Sequence, residues 1–211
     1  MKTTFITILL LSVQTLLLAQ ASDDPVSFTY AEFRVGYGIS SFGEGLKEKY
    51  DAGNFSTSGG FLASVAAYHK FKKINYLNFG IKYKSLGAFP SKGDNGQEMF
   101  FNYWGAAVSV KYFPFDKTAR KGLYMQADYS FINQFTQKYR TVSKLDYNHQ
   151  FALGNGFVFG LGYDVPLGGK RHSMFTIGAE YEYNTRTGEV TGIGKKTFVS
   201  SSFGILAGIK F

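Results

Sequence analysis

Seven ionisable residues are spaced in a way that could do electrostatic work: Glu32 and Arg34, Lys82 and Lys84, Asp128, and Glu180 and Glu182. Within each pair the partners stand two positions apart, which puts both side chains on one face of an extended strand. Acids and bases sharing a face can neutralise one another or line a path for ions, and low-dielectric confinement favours pairing. The same parity adds Lys111, Asp164 and Lys210, giving five acids and five bases in all. Counted from one end of the strands, Arg34, Lys82, Asp128 and Glu180 fall at similar heights. A salt-bridged plug is expected there.

Nucleophilic or metal chemistry has weaker support. The three histidines, His69, His149 and His172, are scattered, so no metal cluster is expected. His172 and Ser173 are neighbours, but neighbours in a strand point to opposite faces. There is no cysteine, which excludes disulfides, thiolate metal sites and thiol nucleophiles. The stretches Gly154-Asn155-Gly156 and Gly160-Leu161-Gly162 are not followed by the Gly-Lys-Ser/Thr of a phosphate loop. No catalytic residue, cofactor or metal is expected.

The elements that position these groups are strands. Leu77, Phe79, Ile81 and Tyr83 alternate with Asn78, Gly80, Lys82 and Lys84. Leu123, Met125, Ala127, Tyr129 and Phe131 repeat this against Gln126, Asp128 and Ser130, and Phe175 to Tyr183 repeat it again. Period-2 alternation broken by Gly, Asn, Asp, Lys and Pro clusters predicts eight strands. They cover about 27–40, 58–70, 75–88, 99–113, 122–135, 149–164, 174–185 and 197–211. Connections at 41–57, 89–98, 136–148 and 186–196 are mostly the longer ones, and those at 71–74, 114–121 and 165–173 the shorter. An even strand number leaves both termini on one side.

Residues 1–21 read as a secretory signal peptide: Lys2 is the positive n-region, an apolar h-region runs to Leu18, and Ala19-Gln20-Ala21 offers a cleavage site. The expected barrel domain is therefore 22–211. The net charge of +8 falls to +7 without Lys2. In an exported chain, anionic lipid is the expected partner of that charge, not nucleic acid.

Three features favour a membrane barrel over a soluble one. The apolar faces lack Asp, Glu, Lys and Arg, as expected where a midplane Lys or Arg costs about 2–4 kcal/mol. The opposite faces hold Gly36, Gly38, Gly80, Gly160, Gly162, Gly178, Gly204 and Gly208, too little volume for a dry core unless long polar side chains cross it. Aromatic residues at strand ends, including Tyr83, Tyr112-Phe113, Tyr163 and Tyr181, suit interfacial girdles. Short turns then face the periplasm and long loops the exterior.

Phe203, Ile205, Ala207, Ile209 and Phe211 alternate up to a terminal aromatic. That run resembles the C-terminal signature read by the barrel assembly machinery. Residues 22–211 as a whole resemble the small eight-stranded outer-membrane barrels typified by OmpX and the OmpA transmembrane domain, including the Bacteroidetes outer-membrane barrel domains. The resemblance implies an all-β, eight-stranded antiparallel transmembrane barrel in the outer membrane. It departs from full OmpA-type proteins, since no peptidoglycan-binding domain is expected after Phe211.

The expected function is non-catalytic: structural or surface interaction, with a closed lumen. A ligand could meet loops 41–57 and 136–148, which carry Tyr50, Phe55, Tyr139 and Tyr147. Two alternatives stay open. One is a narrow small-solute channel of the OmpW type, and the other an outer-leaflet enzyme modifying lipid A, for which only His149 lies at the right level.

Overall fold

Alternation of large apolar and polar side chains needs one face in each solvent, and a closed antiparallel sheet meets that need for eight strands at once. The computed structural model of the chain describes residues 28–43, 59–89, 91–92, 98–141, 144–168, 173–190 and 194–211. Residues 1–27 are outside this set, and so is the expected leader.

The strands are β1 (Phe28–Phe42), β2 (Gly59–Lys70), β3 (Leu77–Ala88), β4 (Glu98–Tyr112), β5 (Gly122–Thr141), β6 (Lys144–Pro166), β7 (Met174–Val190) and β8 (Gly194–Lys210). A two-residue strand, Ser91–Lys92, adds to the start of β4. Each strand pairs antiparallel with its neighbour, and β8 pairs with β1, so the barrel closes without an edge. Phe211 completes the closure: its N–H donates to the Ala31 carbonyl at 3.0 Å, and the Ala31 N–H donates back at 2.8 Å.

The registers fix the stagger. A path across the ladders from Ile39 runs through Phe203, Tyr181, Phe159, Ala127, Val110, Phe79 and His69, and returns to β1 at Thr29, ten residues earlier. Such a shear in eight strands requires a tilt of about 40° and leaves an interior just wide enough for side chains.

The exterior is apolar. Ile81, Phe159, Ile205 and Phe61 are all more than half exposed. Apart from Lys195 near the start of β8, no outward side chain described on any strand is charged. Along β8 the apolar run from Phe203 to Phe211 rises by about 20 Å at that tilt. At its end the outward face turns polar, with Ser41 and Ser201 hydroxyls 2.7 Å apart and those of Thr187 and Thr197 2.8 Å apart.

Two expectations are corrected. The connection expected at 136–148 is mostly strand: β5 runs to Thr141 and β6 starts at Lys144, with Phe135 opposite Ala152 and Tyr139 opposite Asn148. Likewise β7 runs to Val190 and β8 starts at Gly194. Polar residues end an apolar stripe but do not end a ladder, and Thr, Tyr and Phe favour pairing wherever neighbours are available. Of the connection expected at 41–57, residues 41–42 belong to β1 and 44–57 lie outside the described residues. The second correction is Phe113, which is fully buried and belongs to the interior, not to an aromatic girdle. It sits two positions beyond Lys111, on the inward parity of β4.

Candidate functional site

The barrel interior is where charge concentrates. Glu32, Arg34, Lys82, Lys84, Asp128, Glu180 and Glu182 are all buried, and so are Lys111, Asp164 and Lys210. Isolated charges there would be untenable, since desolvating one ion costs several kcal/mol. Each must find partners across the lumen.

Glu180 is the hub. Its Oε1 lies 2.5 Å from Arg34 Nη2 and 2.6 Å from Lys82 Nζ, and its Oε2 lies 3.2 Å from Lys84 Nζ. Lys82 reaches on to Asp128 Oδ2 at 3.0 Å, and Lys84 to Glu182 Oε2 at 2.9 Å. On the other side, Arg34 Nε is 2.8 Å from Glu32, which also pairs with Lys111. The structure thus brings all seven sequence-derived residues into one connected network.

Neutral donors complete it. Ser109 donates to Asp128 at 2.5 Å, and Gln126 Nε2 donates to both Asp128 oxygens at 2.9 and 2.7 Å. The Tyr103 hydroxyl donates to Glu182 at 2.9 Å, and Asn133 Nδ2 donates to the other Glu182 oxygen at 3.2 Å. Lys111 lies over the rings of Tyr124 and Tyr68, 4.2 and 4.9 Å from their centroids. Cation and ring face attract more strongly where water is excluded.

The network spans the lumen because small and large residues face each other. Gly38 and Gly204 leave a hollow that Leu62 fills; a Cβ on either glycine would collide with the Leu62 side chain. Leu62, Leu86 and Leu206, none more than 1 % exposed, are buried on the inward parity of β2, β3 and β8.

Beyond the network, Arg186 donates from Nε and Nη2 to Asn133 Oδ1, at 2.9 and 2.6 Å, and reaches Ser200. Sequence reasoning missed Arg186, Asn133 and Tyr103. Continued parity from Glu180 and Glu182 through Asn184 points to Arg186. Asn133 follows a bulge at which Phe131 and Ile132 both face outward, so its inward turn is hidden from alternation.

At the end carrying Phe28 and Phe211, the turn between β4 and β5 folds under the lumen. Phe113 and Ala119, fully buried, pack with Tyr124. Lys210 pairs with Asp164 at 2.8 Å, donates to the Arg120 carbonyl, and lies 4.4 Å from the Tyr30 ring centroid. Asp116 shapes the turn. Burial would raise its carboxyl, but hydrogen bonds from the Thr118 hydroxyl and the N–H groups of Lys121, Arg120 and Thr118 outweigh that and hold it below the usual carboxylate range.

His69 faces outward, sharing a 2.8 Å hydrogen bond with Thr29 and an edge contact with Phe71. Among the described residues, no three His, Asp or Glu side chains are grouped to hold a metal ion.

No protein-family model matches the chain, and no curated protein matches it. Solved structures do. Ail, the attachment invasion locus protein of Yersinia pestis, in complex with the heparin analogue sucrose octasulfate, superposes with a TM-score of 0.54 at 12% identity, over 87% of this chain and 99% of that one. A second structure of Ail gives 0.50 at 11% identity, over 86% and 98%. A major outer membrane protein from Thermus thermophilus gives 0.47 at 14% identity, over 86% and 98%. The chain has the fold of the small outer-membrane barrels: all-β, closed, antiparallel and eight-stranded.

Proposed function

We propose that this chain is a non-catalytic outer-membrane barrel with a structural or surface-interaction role, its lumen closed by paired charges. In this reading a cleaved leader at 1–21 exports it, and both termini and the turns that follow β2, β4 and β6 face the periplasm. The surface that meets partners is the opposite end, with the 41–57 segment and the extended β5–β6 hairpin that contains 136–148.

The observation that carries the closed lumen is the sharing of Glu180 by Arg34, Lys82 and Lys84. An ion entering from water would have to displace ion pairs that those groups already make with one another, in a space too narrow to rehydrate them. Membrane placement rests on the apolar exterior of the described strands. An exposed apolar surface of that size is unfavourable in water, and acyl chains cover it without cost.

Planar-bilayer recording of the purified, refolded barrel tests this. Absent or modest conductance is expected. Large, stable, ohmic conductance would overturn the closed lumen and favour a small-solute channel.

A further inference from the structure

We propose that the turn end of the barrel is a docking surface for anionic phospholipid headgroups, formed jointly by the 71–76 and 113–121 turns. The proposal rests on the membrane placement argued above.

The two turns are one surface. The Phe113 N–H donates to the Tyr76 carbonyl at 2.8 Å, and the Tyr76 N–H donates to the Lys117 carbonyl at 3.3 Å. On that surface Lys72, Lys73, Lys117 and Lys121 are exposed. Its one acid, Asp116, is already committed: Oδ1 accepts from the Thr118 N–H and hydroxyl, and Oδ2 from the Arg120 and Lys121 N–H groups. Neither turn holds another carboxylate, so the surface keeps a net positive charge.

Beside the lysines stands Phe115, 84% exposed, with Phe71 at 47%. The burial of Phe113 and Ala119 anchors the 113–121 turn from below, so Phe115 is displayed by a fixed scaffold. Exposed rings among flexible ammonium groups match an interface where acyl chains end and phosphates begin. Lysine suits a diffuse layer of headgroups better than arginine, whose rigid fork suits one defined anion. The arginine of this turn is occupied elsewhere, with Arg120 stacked 4.4 Å from the Phe28 ring centroid.

The test uses the full barrel in vesicles and its single tryptophan, Trp104. Trp104 should be quenched by brominated phosphatidylcholine; if it is not, membrane placement fails and this proposal falls with it. A Phe115→Trp reporter in a Trp104→Phe background then reads the turn end. Its quenching by brominated phosphatidylglycerol should exceed that by brominated phosphatidylcholine about threefold, and fall towards parity in high salt. Lys72→Gln, Lys73→Gln, Lys117→Gln and Lys121→Gln combined should abolish the preference, whereas Lys195→Gln should leave it intact. Equal quenching by both lipids, or none by either, would overturn the docking surface while leaving the barrel in the membrane. Competition by millimolar inorganic phosphate would overturn it too, in favour of a discrete anion site. Loss of the preference in the Lys195→Gln control would show a general charge effect and also overturn it.

Discussion

Arg34 and Glu180 stand 146 positions apart in sequence and meet at 2.5 Å, each with a side chain only 1% exposed. Removing one member leaves buried charge without its counterion. Glu180→Gln is therefore expected to destabilise the barrel by about 3–5 kcal/mol, because three bases lose a shared carboxylate. Urea unfolding from lipid vesicles measures it. Arg34→Met with Glu180→Leu should cost less than the sum of the singles, since Lys82 keeps Asp128 and Lys84 keeps Glu182. Additive effects would show that Arg34 and Glu180 are not coupled.

Much of this interior is legible in the sequence because strand parity is. Once Leu77, Phe79 and Ile81 are assigned outward, Asn78, Gly80 and Lys82 have nowhere else to point. Parity is local, however. Which inward residues meet depends on a ten-residue shear summed over eight ladders, and on a bulge at Phe131 and Ile132 that resets the alternation before Asn133. The 136–148 stretch is hard to read for a different reason. Gln137, Lys138 and Asp146 look like loop residues, yet beyond an apolar band a hairpin can be polar on both faces and still pair.

The apolar exterior of the described strands yields a prediction that depends on position. Ile81 is 66% exposed, in the middle of the apolar band, whereas Ser201 is outward at its polar margin. Ile81→Lys is expected to cost about 2–4 kcal/mol of folding stability in a bilayer, and Ser201→Lys no more than about 1 kcal/mol. In detergent micelles the gap should shrink. Equal costs in a bilayer would mean that Ile81 does not face acyl chains.

Asp116 provides a pH test with a definite sign. Its carboxyl titrates below the ordinary value of 3.8, so its hydrogen bonds to the turn are intact above that value and are lost as pH falls through the lower, folded one. Nuclear magnetic resonance of the Thr118, Arg120 and Lys121 amides should show a shared transition with a midpoint under 3.8, absent in Asp116→Ala. A midpoint at or above 3.8 would mean that those N–H groups do not hold the carboxylate in solution.

The terminal aromatic separates folding from assembly. Phe211 contributes two backbone hydrogen bonds to Ala31, and its ring is half exposed on the outward face. Phe211→Ala keeps the backbone bonds and removes only the ring. If Phe203, Ile205, Ala207, Ile209 and Phe211 serve as the recognition strand of the assembly machinery, the loss should be small where no machinery is present. Refolding from urea into vesicles should then change by about 1 kcal/mol or less, in line with burying a half-exposed ring. In cells the same variant should reach the membrane several-fold less than wild type, with unassembled protein degraded or held soluble. A variant that refolds poorly in vesicles and assembles poorly in cells to the same degree would assign the ring a purely structural part. One that assembles normally would remove the recognition role.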